Sequence, residues 1–124
     1  MKKLIAIILL FPALAFGAEM TTRTPDNQNP SHYTETIADG TNGETIRIVM
    51  ESGAAVSCTI IAGANTGKIQ YTTSSDAAIT AGSETWQDWP NGDTTGTYSD
   101  ALLAPVTALR GVSVSGEIVI EFSQ

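Results

Sequence analysis

The chain predicts an all-β fold, a single antiparallel β-sandwich for which a jelly-roll arrangement is compatible, preceded by an apolar segment and an extended arm. Three observations predict it. Only 15 % of the 124 residues are charged, and Gly, Ser and Thr are abundant. Several short segments alternate apolar and polar residues with the period of two that marks a half-buried strand. Beyond residue 17 there is no long Leu/Ala/Glu/Lys stretch with helical periodicity.

The chain begins with the pattern of a secretory signal. Lys2 and Lys3 precede the apolar run Leu4 to Phe16, and Ala15-Phe16-Gly17 offers a small-x-small cleavage site that would make Ala18 the first mature residue. The run falls short of the roughly 20 residues a helix needs to cross a bilayer, so membrane contact is expected only during export. The organisation read from the sequence is residues 1–17 as signal peptide, 18–42 as a polar N-terminal arm and 43–124 as the β-domain. The arm, with Pro25, Pro30 and several Asn, cannot bury enough apolar surface to fold alone, although Tyr33 to Ile37 suits one short strand.

Within the domain, Ile46, Ile48 and Met50 share one face of a strand over Glu44 to Met50. A second strand is expected over Ala55 to Ala62, a tight connection over Gly63 to Gly67, and a third strand over Lys68 to Thr73. Ser74 to Gly82 reads as a loop and Ser83 to Trp89 as a short strand closed by Pro90-Asn91-Gly92-Asp93. Thr94 to Tyr98 suits an edge strand. Asp100 to Pro105 reads as one helical turn, with Asp100 as its cap and Pro105 ending it. Val112 and Val114 are expected to pair with Ile118, Ile120 and Phe122 in a hairpin turning at Ser115-Gly116. A bulge at Gly111 would bring Leu109 into phase with Val112.

Charge and residue chemistry narrow the function. The chain carries 6 basic and 13 acidic side chains. Loss of Lys2 and Lys3 with a signal leaves 4 − 13 = −9, a charge that repels phosphate backbones and excludes nucleic acid as the expected partner. Cys58 is the sole cysteine, so the domain holds no internal disulfide. Its place between Val56 and Ile60 on one strand face predicts a buried, inert thiol. His32 is the sole histidine and has no partner pattern for zinc or for a catalytic triad. No nucleophile motif appears, and no enzyme activity or cofactor is expected. Asp76, Glu84, Asp88, Asp93 and Asp100 lack calcium-loop spacing and read as solvated turn carboxylates.

The suggestive residues are Trp86, Trp89 and Arg110. Two tryptophans three apart on a strand point to opposite faces, so one is expected in the core and the other at an end or an interface; an exposed one would alternatively stack on a sugar ring. Arg110 is one of very few cations and is a candidate to pair with Asp88 or Asp100, or across a subunit boundary.

The order Gly67-Lys68-Ile69-Gln70-Tyr71-Thr72-Thr73-Ser74, then Trp86-Gln87-Asp88-Trp89-Pro90-Asn91-Gly92-Asp93, then Pro105-Val106-Thr107-Ala108-Leu109-Arg110 resembles small tailed-phage virion proteins over about residues 63–124. The resemblance implies a non-enzymatic capsid-decoration, fibre or attachment component of a bacteriophage, in contact with other virion or surface proteins and with copies of itself. Such a protein would reside in the virion. The competing expectation is a secreted or periplasmic carbohydrate-binding module, which accounts better for an export signal. Polymerisation by strand exchange is disfavoured because the arm lacks an alternating apolar pattern.

Overall fold

The computed structural model describes residues 19–21, 32–49, 55–89, 92–103 and 105–123. The expected signal segment, its cleavage site at Gly17 and Ala18, and residues 22–31 of the arm lie outside the described residues. The elements are β1 (Glu19–Thr21), β2 (His32–Ile37), β3 (Ile46–Val49), β4 (Val56–Thr72), α1 (Asp76–Ala81), β5 (Gln87–Asp88), β6 (Thr94–Leu102), β7 (Ala108–Ser115) and β8 (Ile118–Ser123). The protein is all-β. Its strands form one sheet in the order β1-β3-β7-β4-β8-β2, with β5 and β6 on the other side of β4.

Register reveals how this sheet is built. β7 and β8 both run antiparallel to β4, and the residue numbers of paired positions keep a constant sum from Thr72↔Ala108 to Gly67↔Ser113 and again from Ile61↔Val119 to Ser57↔Ser123. β7 and β8 are therefore successive stretches of one edge, and the expected hairpin at Ser115-Gly116 does not form. The same relation holds for β2 with β8 and β3 with β7, from His32↔Ser123 to Arg47↔Ala108. On the opposite edge of β4, β6 covers Val56 to Gly67 and β5 covers Gln70 and Tyr71.

Four long antiparallel paths, each broken once near its middle, thus make up most of the sheet. The breaks align. Gly40, Gly116, Gly63 and Gly96 all have positive φ, between 59° and 76°, a region that only glycine enters without steric cost. Gly63 and Gly96 face each other across β4 and β6, where the register slips. Side chains stitch the other two paths: Gly116 donates its N–H to Asp39 Oδ1 at 2.6 Å, Gly40 donates to Ser113 Oγ at 3.2 Å, and Asn65 Nδ2 donates to the Glu117 carbonyl at 2.7 Å. The sheet bends along this line, so the described strands form one curled sheet.

The bend also inverts the phase of each path, because the extra residues of a bulge shift which positions face inward. In β4 the inward residues are Val56, Cys58, Ile60 and Ala62 before the bend, then Gly67 and Ile69 after it. Leu109, Gly111 and Ser113 give way likewise to Ile118, Ile120 and Phe122. A single apolar cluster gathers Ile37, Val56, Cys58, Ile60, Ile118, Ile120 and Phe122 from one half and Ile46, Ile69 and Leu109 from the other. Gly111 is an inward position with regular pairing, not a bulge. A Cβ there would meet methyl groups of Ile37 and Ile120, at 2.8 Å for Ile120 Cγ2, so its small size is what lets the halves close.

Three other local expectations differ. Gly63 to Gly67 does not end a strand but lies inside the 17-residue β4. Residues 76–81 are helical rather than loop: Ser75 accepts the Ala78 N–H as N-cap and Gly82, at φ 67°, closes the helix. Asp100 is not a helix cap, because Asp100 to Leu102 complete β6 opposite Val56 to Cys58. The strand read at Tyr33 to Ile37 is present as β2 and pairs along its whole length with β8.

Cys58 is 1 % exposed. Burial, with a smaller contribution from the Asp100 carboxylate, pushes its pKa up to about 12. The unfolded thiol ionises near pH 8.5, about three units earlier, so above that pH the unfolded chain binds fewer protons than the folded one. Stability is expected to fall as pH rises from about 9 towards 12, with a limiting slope of about 1.4 kcal/mol per unit. Urea titrations of Cys58→Ala should show a flatter dependence across that window.

Candidate functional site

The period of two places Lys68 and Gln70 on the outer face of β4, opposite the inward Ile69. Register then sets Gln70 between Asp88 of β5 and Arg110 of β7. These neighbours are bonded in series. Asp88 Oδ2 accepts from Lys68 Nζ at 3.0 Å and Asp88 Oδ1 accepts from Gln70 Nε2 at 2.7 Å. Gln70 Oε1 in turn accepts two bonds from Arg110, from Nε at 3.0 Å and Nη2 at 2.8 Å. Those bonds, first from Gln70 and then from Lys68, hold the Asp88 carboxyl below its ordinary pKa. Asp93 lies 3.8 Å from the same lysine.

The series ends on an aromatic ring. The Arg110 guanidinium carbon sits 4.2 Å from the ring centroid of Trp86, within cation–π range. Trp86 Nε1 donates to Glu84 Oε1 at 3.0 Å, while Glu84 Oε2 is buried with no hydrogen-bond partner. Burial lowers the pKa of Arg110 and the nearby Glu84 carboxylate opposes that shift. Trp86 is thus held at its edge by Glu84 and on a face by Arg110.

Trp89 takes the other direction. It is 7 % exposed, packs edge-on against Tyr71 with centroids 6.0 Å apart, and donates its backbone N–H to the Ile69 carbonyl at 2.8 Å. Its Nε1 is buried without a partner at hydrogen-bond distance, although it exerts a weak pull on the Asp100 carboxylate. The two tryptophans therefore divide between core and outer face. Arg110 reaches Asp88 through Gln70 rather than directly, and Asp100 plays no part in this series.

The platform lies on the same outer face as Arg47, which pairs with Asp76 at 3.4 Å and donates to Thr80 Oγ1 at 2.7 Å, tying α1 to β3. Every cation among the described residues is on this face, and each is engaged by acidic or amide groups. Among the described residues no three of His, Cys, Asp and Glu gather into a metal-holding group. His32 is exposed on β2. Glu84, read from the sequence as a solvated turn carboxylate, is instead bonded to Trp86 with one oxygen buried; Gln70 and Lys68 complete the arrangement without having been singled out, since they carried the outward phase of their strand but nothing local announced a partner 40 residues from Gln70.

No family model and no curated protein matches the chain. Among solved structures, the periplasmic lysozyme inhibitor of g-type lysozyme PliG from Aeromonas hydrophila aligns over 86 % of this chain and 95 % of its own, at 12 % identity and a TM-score of 0.36. That score is too low to carry over fold or function.

Proposed function

We propose that the chain is an exported, non-enzymatic β-domain that acts by binding another protein, with Trp86 and Arg110 as the centre of the contact. The observation that carries this reading is the guanidinium laid on the Trp86 ring. Sugar stacking would be left the face of Trp86 opposite the guanidinium, since the second tryptophan is in the core. A half-buried Trp–Arg pair held by a bonded polar surround is instead the residue chemistry that dominates protein contacts. Export is supported by the Lys2-Lys3 and Leu4 to Phe16 pattern. The sequence resemblance to tailed-phage virion proteins makes a neighbouring virion protein the partner of this kind that we favour.

The two tryptophans should separate under mutation. Trp89→Ala is expected to lower stability by about 3–5 kcal/mol through loss of a buried aromatic, whereas Trp86→Ala should leave melting nearly unchanged and abolish co-fractionation with the native particle or envelope assembly. Mass spectrometry of purified fractions, alongside thermal melts and polysaccharide retention, checks both. A Trp86→Ala variant that stays assembled but loses polysaccharide retention would establish glycan binding in place of this reading.

A further inference from the structure

We propose that the Arg110 guanidinium receives a carboxylate of the partner, on the end of its fork that bears both Nη atoms. This rests on the reading of Trp86 and Arg110 as a protein contact and names the chemistry the partner brings to it. Arg47, Lys68 and Arg110, the cations among the described residues, are not compensated alike. Arg47 pairs with Asp76 at 3.4 Å, and Lys68 pairs with Asp88 at 3.0 Å and lies 3.8 Å from Asp93. Among the described residues Arg110 forms no ion pair. Its hydrogen bonds go from Nε and Nη2 to Gln70 Oε1, which takes up the side-on edge of the fork. The end-on edge, with one N–H from each Nη, meets no acceptor among the described residues. Glu84 acts on the Arg110 charge from beyond ion-pair distance; its Oε1 accepts from Trp86 Nε1 and its Oε2 is buried.

An arginine on an outer face ordinarily gives its spare N–H groups to water. Arg110 differs in being fixed and partly withdrawn from water. Gln70 sets the plane of the guanidinium, and the Trp86 ring covers one of its faces, 4.2 Å from the guanidinium carbon to the ring centroid. A half-buried cation without a counter-charge in contact gains from one, and the ordering of its long side chain is complete before a partner arrives. The end-on edge matches the two oxygens of a carboxylate in a bidentate pair. The rest of the chain restricts the anion. With 13 acidic against 6 basic side chains, and with Glu84 and Asp88 beside the platform, a polyanion is repelled. The ligand is therefore a lone carboxylate, carried by an Asp or Glu side chain or by the C-terminus of a chain.

The chain has 2 tryptophans, so in a proton–nitrogen correlation spectrum Trp86→Phe assigns both indole N–H resonances, and Arg110→Lys assigns the Arg110 Nε–H. At neutral pH, N-acetylglutamate amide, whose one carboxylate is on the side chain, should move the Arg110 Nε–H and Trp86 Nε1–H resonances to saturation and leave that of Trp89 in place. Its neutral counterpart, N-acetylglutamine amide, should move neither. N-acetylglycine carries a main-chain carboxylate instead, and whichever of the two acids saturates at the lower concentration identifies the source. Arg110→Gln should weaken the response at Trp86 by about tenfold or more, as loss of a charge-assisted pair implies. Should that variant fail to fold, the contrast between acid and amide probes in the parent decides. No movement with either acid, equal movement with the amide, an undiminished response in Arg110→Gln, or a stronger response to methyl phosphate would each overturn the proposal. Co-fractionation judges the contact separately: release of Trp86→Ala with unmoved parent resonances removes only the carboxylate, whereas a Trp86→Ala chain that stays with the assembly removes the contact and the proposal with it.

Discussion

Ile120→Asp is expected to unfold the domain in dilute buffer. Ile120 is fully buried, pairs with Ile60 on one side and Glu35 on the other, and its methyl groups meet the inward side of Gly111. An aspartate there would lose the apolar burial and place a carboxylate where no cation is near, a loss of about 4–5 kcal/mol or more. That is a large part of the roughly 5–15 kcal/mol that a small domain has in total. Glu121→Lys, one residue along and facing outward between Thr34 and Thr59, should shift the denaturation midpoint little. Equal midpoints for the two variants would show that the phase of β8 is misread.

The second large effect is expected at the line where the sheet bends. Gly63→Ala and Gly116→Val both force a side chain into the left-handed region, at a cost of about 1–2 kcal/mol. At Gly63 nothing lies within 4 Å of the added Cβ, whereas at Gly116 the Cβ would land on the Asn65 amide group, which is held by its bond to the Glu117 carbonyl. Gly116→Val should therefore lose about 3 kcal/mol or more, and Gly63→Ala about half of that. Urea midpoints of the pair check this directly, and a Gly116→Val variant as stable as the parent would remove the bend as an organising feature.

The sequence made some of this legible and hid the rest for a physical reason. Alternation over Ile46 and Ile48, over Val56 to Ala62 and over Ile118 to Phe122 marked strands and their buried faces, because burial of one face writes a period of two into any half-exposed strand. Gly63 and Gly116 looked like ends and turns because a positive-φ glycine has the same local signature in a hairpin, a connection or a bend. Telling them apart needs the partner strand, and the partners of β4 are long-range. The division of Trp86 and Trp89 between two faces followed from their spacing. The seat of Arg110 did not: Gln70, the residue that receives it, is set opposite by register alone. The helix at 76–81 carried a readable signal, Ser75 before Asp76 with Gly82 beyond, overshadowed by the serine- and threonine-rich sequence around it.

The position of β8 has a consequence for the order in which the chain matures. It lies between β4 and β2 and supplies the layer that joins them, yet it is formed by residues 118–123. Until that stretch is made, β2 and the first half of β4 lack the strand that, among the described residues, joins them. Nucleation must wait for contacts spanning most of the chain, the circumstance that slows β-rich folding.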